Sequence, residues 1–364
     1  MTSLDESAAY AARDPRGFRD LLRGFPRQVA DAEQLAEGVH LGGQPPRALL
    51  VLGMGGSAAA GDLLQGLCHE RATFPVQVIR GYTIPSWVGP DTLVVASSYS
   101  GGTEETLAAF DAARARGAQL LAVTSGGALG DRARRDGVPW VRLPPGLPPR
   151  AALGYLLLPV LVLLDRPRGV LGGPEERTEA VSVLEALSVE LEPEVPTHRN
   201  PAKDVARWLA GRLPVIYGTD VTAPVAYRWR TQLEENAKVL ALSGALPEMN
   251  HNAIEAWAAG ASGDWAVILL RDPNEHPRVA RRAWLTRPIT EARVPTREAW
   301  ARGRGLLARM LSLVLLGDWT SYYLAVLRGV DPWAVDTLEA FKRQMARADM
   351  TESPTARPDI AAKA

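Results

Sequence analysis

VVASSYSGGTEETLAAF, residues 94–110, runs from small apolar residues through a crowded turn into a helix-like segment. Ser97, Ser98, Ser100, Gly101, Gly102 and Thr103 all fall in that turn. The pattern predicts a buried strand, a tight connection and a helix start. A helix start presents unpaired N–H groups with the helix dipole behind them, which favours an anion. Glycines let backbone approach a ligand closely, and Ser or Thr hydroxyls add donors. The stretch GMGGSAAAGD, residues 53–62, repeats this arrangement directly after the apolar run PRALLVLG, residues 46–53. Helix capping and chain turning alone would account for one such loop. Two at neighbouring strand ends point to a phosphate cradle for a small ligand.

Outward from these loops, apolar strands are expected at 75–81, 92–98, 118–125 and 138–143, with helical stretches between most of them. Residues 19–37 read as helical, and the run AALGYLLLPVLVLL, residues 151–164, reads as a buried helix too short to cross a bilayer comfortably. Short apolar strands alternating with helices imply a parallel sheet covered on both faces. In such sheets ligands settle beyond the carboxyl ends of the strands, where both loops lie.

After the Pro/Arg/Gly-rich stretch DRPRGVLGGPEE, residues 165–176, the pattern becomes helical and then restarts with LPVIYGTD at 213–220. A helix over 222–240, a strand at 264–271, another at 289–294 and two long carboxy-terminal helices complete a second unit. The expected fold class is therefore α/β, with two doubly wound parallel-sheet domains: 1–165, a linker region 166–195, and 196–364. The halves share an order of elements and no residue-level repeat.

Composition narrows the function. Lys plus Arg and Asp plus Glu number 41 each in 364 residues, so no basic excess recommends nucleic acid as a partner. Cys68 is the single cysteine, which rules out an internal disulfide and fits a reducing cytoplasm. The amino terminus lacks the basic-then-apolar pattern of a secretory signal, and no membrane segment is expected. Neither G-x-G-x-x-G nor a Walker-type loop is present, so nucleotide sites lose their main support. There is no H-E-x-x-H element and the five histidines are scattered, so neither a metal site nor a cofactor is expected.

GMGGSAAAGD and SYSGGTEETL resemble the phosphosugar-binding loops of the sugar isomerase (SIS) domain. Together with QLEENAKVLALSGALPEMNHNAIEAW, residues 232–257, they make the chain similar, over nearly its whole length, to the bifunctional phosphoglucose/phosphomannose isomerase family. The resemblance implies two SIS-type domains and a metal-free aldose–ketose isomerase. It would interconvert glucose 6-phosphate, and mannose 6-phosphate, with fructose 6-phosphate through a cis-enediolate.

The chemistry requires a base, a proton shuttle for ring opening and positive charge beside the enediolate. By resemblance, Glu235 is the base that moves the proton between C2 and C1. From the residues alone it reads as a solvent-facing helix carboxylate paired with Lys238 at i+3. Glu234 must point about a quarter-turn away. His251 is implied to help open the ring and to reach the site from the neighbouring subunit, making a homodimer the working unit; in isolation it reads as a cap or turn residue. Arg150 would stabilise the enediolate, or be one surface arginine among many. Lys342 would assist ring opening, in a chain where only four of the 41 basic residues are lysines.

Phosphate would be held by Gly55, Gly56, Ser57, Ser98, Ser100 and Thr103. The family loop commonly reads Ser-Gly-Asn-Thr, whereas this chain has Ser100-Gly101-Gly102-Thr103. Two rival readings remain: a non-catalytic phosphosugar sensor, which would need the serine loops alone, and the isomerising half of an amidotransferase, for which no glutaminase domain is expected.

Overall fold

The computed structural model describes residues 3–166 and 171–345. Residues 167–170, inside the Pro/Arg/Gly-rich stretch, and the carboxy-terminal residues beyond 345, which include Lys363, lie outside the described residues. The chain opens with α1 (Ser7–Arg13), α2 (Phe18–Arg23), α3 (Phe25–Ala30) and α4 (Ala32–Leu35). The helical stretch expected over 19–37 is thus divided among α2, α3 and α4. Pro26, near the start of α3, has no N–H to offer the carbonyl one turn back, so the chain restarts there.

The first α/β unit comprises β1 (Ala48–Leu52), α5 (Gly55–Cys68), β2 (Val76–Ile79), β3 (Thr92–Ser97), α6 (Glu104–Ala115), β4 (Gln119–Thr124), α7 (Gly127–Asp136) and β5 (Trp140–Arg142). Its five parallel strands lie in the order β2-β1-β3-β4-β5. Both β1 and β3 are buried along their length, as continuous Val/Leu/Ala runs in a doubly covered sheet should be. Leu52 at the end of β1 pairs with Ala96, one residue before the end of β3. This register starts the loops after β1 and β3 side by side, at the point where the strand order reverses and ligands bind in doubly wound sheets.

A helical layer follows: α8 (Leu153–Asp165), α9 (Pro174–Leu191) and α10 (Pro201–Leu209). The second unit comprises β6 (Leu213–Thr219), α11 (Ala223–Ala237), β7 (Leu242–Leu246), α12 (Ala253–Ala259), β8 (Trp265–Arg271), α13 (Pro277–Glu291), β9 (Thr296–Trp300), α14 (Leu306–Arg328) and α15 (Asp336–Met345). Its four strands are parallel in the order β7-β6-β8-β9. The strand expected at 289–294 is not one: residues to 291 continue α13, and the strand begins at Thr296. Thr290 turns its hydroxyl onto the Arg287 carbonyl, 3.0 Å away, so its buried polar group is satisfied within the last turn of the helix. The edge strand β7 has no counterpart among the expected strands, because Leu-Ser-Gly-Ala-Leu holds no β-branched residue. Of the two closing helices, α14 is long and α15 has ten residues.

By length and hydropathy α14 could cross a membrane, yet 89% of its most apolar window is buried against the rest of the chain. It is a core helix, packed on α9, α10 and α11. One continuous apolar cluster joins Leu49 and Leu63 of the first unit to Ile216 and Trp229 of the second. The seam between α5 and α11 is therefore fixed by burial, and the site lies along it.

Candidate active site

At the first strand end, Met54 caps α5 in an extended conformation, and Ser57 and Ala58 return their N–H groups to its carbonyl. The first turn of α5 carries no acidic residue, whereas that of α6 carries Glu104 and Glu105. The field that attracts an anion therefore belongs chiefly to α5. Tyr99 donates its N–H to the Ser57 hydroxyl at 3.3 Å, tying the two loops together. Ser98 and Thr103 share a hydroxyl–hydroxyl hydrogen bond of 2.8 Å, and the Ser100 hydroxyl accepts from the Gly102 N–H at 3.4 Å. The six residues expected to form a phosphate cradle thus sit on two adjoining loops.

Gly101 has φ +69°, and a Cβ there would lie 1.8 Å from the Gly126 carbonyl oxygen. A Cβ on Gly102 would meet nothing within 4 Å. The departure at Gly102 therefore opens space without being demanded by the backbone.

Gly56 carries the cradle to the seam. A Cβ on it would come within 2.8 Å of the Pro149 carbonyl and 3.0 Å of the Arg150 Cα. Arg150 lies in a 3₁₀ turn, Pro149–Ala151, and is 3% exposed. Burial lowers its pKa below the usual guanidinium value, with the charge of Glu235 opposing that shift. Its Nε donates to Asn236 Oδ1 at 2.7 Å, and its Nη2 donates to the carbonyls of Pro332 and Trp333 at 2.8 and 2.9 Å. Phe18 lies across the guanidinium at 5.3 Å. Nη1 faces Glu235 Oε2 at 3.7 Å.

Glu235 and Asn236 occupy the last turn of α11 and diverge by the helical step: the carboxylate is partly exposed while the amide is buried. Glu234 points elsewhere, toward Arg230 at 3.6 Å, and burial raises its pKa. The i+3 pairing of Glu235 with Lys238 is not what forms. Lys238 caps α11 with φ +55° and directs its ammonium to the backbone carbonyls of Glu235, Asn236 and Asp331. Partial burial and the Arg150 charge lower its pKa to about 8.

His251 ends the 3₁₀ turn Glu248–His251, after β7, and is exposed. After β7 the chain turns onto one face of the second sheet: Met249 packs with Val279 and Ala283 of α13, and Asn250 donates to Thr286 Oγ1 at 2.7 Å. The opposite face is covered by α11, where Trp229 and Leu233 meet Ile216 and Ile268. His251 and Glu235 therefore lie on opposite sides of that sheet. Within one chain these two residues are not brought together. Lys342 lies on the exposed helix α15, beyond the 331–333 loop that holds Arg150 and Lys238.

Asn236, Phe18 and the 332–333 carbonyls were not singled out from sequence. Their partners lie up to 183 positions away, and no local pattern marks them. Among the described residues, no group of three or more His, Cys, Asp or Glu is placed to hold a metal ion.

The SIS domain family matches residues 45–133, which contain both cradle loops, and the bacterial phospho-glucose isomerase C-terminal SIS domain matches residues 198–345. The chain is 37% identical over 328 residues to a bifunctional phosphoglucose/phosphomannose isomerase of Caldicellulosiruptor bescii, covering 88% of this chain and 97% of that protein. The chain belongs to the bifunctional phosphoglucose/phosphomannose isomerase family. A second relative of that name, from Aquifex aeolicus, is 37% identical over 83% of this chain and 92% of its own. Among solved structures, a glucose-6-phosphate isomerase like protein from Thermus thermophilus superposes with a TM-score of 0.61 at 25% identity, covering 94% of this chain and 99% of that one. The fold of this isomerase-family chain is thus shared over nearly the full length of that relative.

Proposed function

We propose that this protein interconverts glucose 6-phosphate, and mannose 6-phosphate, with fructose 6-phosphate by proton transfer between C2 and C1 of the open-chain sugar. One observation carries the reading: the Glu235 carboxylate and the Arg150 guanidinium face each other while the backbone of Arg150 abuts Gly56 of the phosphate cradle. A sensor needs the cradle alone. It has no use for a carboxylate and a buried guanidinium at its rim.

The phosphoryl group is held by the N–H groups of Gly55 and Gly56 and the hydroxyls of Ser57, Ser98, Ser100 and Thr103. Glu235 takes the proton from C2, the C–H electron pair becomes the C1–C2 double bond, and the carbonyl oxygen at C1 gains the negative charge. Arg150 Nη1 meets that charge. Glu235 returns its proton to C1, the hydroxyl proton at O2 passes to O1, and the ketose results. Glucose and mannose phosphates lose their C2 configuration in the same enediolate, so one base serves both if rotation about C2–C3 presents either hydrogen.

Ring opening falls to the partner subunit's His251, assisted by Lys342. The placement of Glu235 and His251 on opposite faces of the second sheet supports a homodimer, as do Leu240 and Leu242, 71% and 48% exposed beside the β7 edge. Cys68 is buried, with its thiol pKa pushed up to about 12, which suits a cytoplasmic enzyme without redox chemistry. Purified protein should convert both aldose phosphates to fructose 6-phosphate, with and without EDTA. Binding without turnover would favour the sensor, and loss of turnover in EDTA would reject a metal-free mechanism.

A further inference from the structure

Arg150 sits in a closed ring of buried polar groups. Its Nε–H meets Asn236 Oδ1, and the Asn236 amide donates to Ser321 Oγ at 2.9 Å. Ser321 Oγ donates in turn to the Asp318 carbonyl at 2.7 Å. The Asp318 carboxylate accepts from Arg228 Nε at 3.1 Å and Nη2 at 2.6 Å, and Arg228 Nη2 also donates to the backbone carbonyl of Arg150 at 2.9 Å. The ring leaves the guanidinium of Arg150 and returns to its own carbonyl. Asn236, Asp318 and Ser321 are each no more than 4% exposed.

A guanidinium has five N–H groups in a rigid plane. Here the protein uses three: one on Asn236 and two on the Pro332 and Trp333 carbonyls. The two on Nη1 remain on the side of Glu235. Asn236 is the single side chain in that set, and it adjoins Glu235 in the same helical turn. We propose that Asn236 is a positioning residue, whose amide bridge to Ser321 fixes the plane of Arg150 so that Nη1 is reserved for the oxygens at C1 and C2. This rests on the proposed role of Arg150 and adds the device that aims it.

The test compares two inhibitors binding to the full-length protein by calorimetry. Arabinonate 5-phosphate presents a carboxylate where the enediolate would carry its charge; glucitol 6-phosphate presents neutral hydroxyls. Asn236→Ala should weaken the aldonate about ten-fold or more, the scale of one misdirected charged hydrogen bond, and leave the alditol within about two-fold. Ser321→Ala, which removes only the far anchor, should move the same ratio in the same direction by a smaller factor, and it serves if Asn236→Ala does not fold. Arg150→Lys is run in parallel. If Arg150→Lys changes the ratio and the other two do not, or if both ligands weaken together in them, the positioning role is overturned while that of Arg150 stands. If Arg150→Lys leaves the ratio unchanged, both fail.

Discussion

Arg150 Nη1 and Glu235 Oε2 stand 3.7 Å apart although they come from different α/β units, one from the turn after the first sheet and one from the last turn of α11. In the proposed mechanism, negative charge moves from the Glu235 carboxylate to the enediolate oxygens as a proton leaves C2. A fixed cation beside both positions loses little in the transfer, so its field is available without reorganisation at the moment of reaction.

Glu235→Gln should keep phosphosugar binding and lose about two to four orders of magnitude in kcat, because the amide preserves shape and cannot accept the proton. The check is washout of the C2 hydrogen into solvent deuterium alongside fructose 6-phosphate formation. Exchange at the wild-type rate would remove Glu235 from the role.

Adjacent glycines in the cradle should respond in opposite ways. Gly101→Ala meets both the left-handed backbone and the Gly126 carbonyl, so the loop must move, with a stability cost of about 2–4 kcal/mol and substrate KM raised at least several-fold. Gly102→Asn has open space and should keep the thermal midpoint within about 2 °C of wild type. Melting curves with KM for glucose 6-phosphate measure both.

Lys238 supplies a pH signature. Its folded pKa, about 8, lies below the ordinary lysine value of 10.5, so between those values the unfolded chain holds more protons than the folded one. Stability from this group therefore rises with pH across that window, and its penalty is fully present below pH 8. Relative to Lys238→Met, the wild-type urea midpoint should climb between pH 8 and 10. A difference that stays flat or falls would contradict the assignment.

Asp318 is wholly enclosed, and burial raises its pKa against the opposing charge and hydrogen bonds of Arg228. Asp318→Ala leaves Arg228 buried and unpaired, which should destabilise the protein by about 3–5 kcal/mol. The double variant Asp318→Leu with Arg228→Met should recover much of that loss. Chemical denaturation of the three proteins decides it.

The two strand-end loops were legible because their signal is local: a β-strand, glycines and hydroxyls, then a helix within about ten residues of chain. Gly56 and Ser98 lie where those patterns put them, at the switch point of the first sheet. What holds Arg150 was not legible. Asn236, Ser321 and the Trp333 carbonyl approach it through tertiary packing, and nothing in the spacing of EEN distinguishes an amide that enters the interdomain core from one that faces water. The misplaced strand at 289–294 has the converse origin. Ile289, Thr290 and Val294 are β-branched, which favours a strand, yet the first two lie in the last turn of α13 and are held there by the helix.

The placement of His251 and Glu235 on opposite faces of the second sheet can be turned into a complementation experiment. Glu235→Gln and His251→Ala homodimers should each be nearly inactive. In a heterodimer formed by unfolding and refolding a one-to-one mixture, one of the two sites combines an intact Glu235 with the partner's His251, while the other site carries both substitutions. Random pairing makes half the dimers mixed, so about one site in four regains full function. Recovery of about a quarter of wild-type activity is therefore expected, appearing only after subunit exchange. If the imidazole acted within its own chain, every site in the mixture would still lack one group, and the refolded sample would be no more active than its inputs.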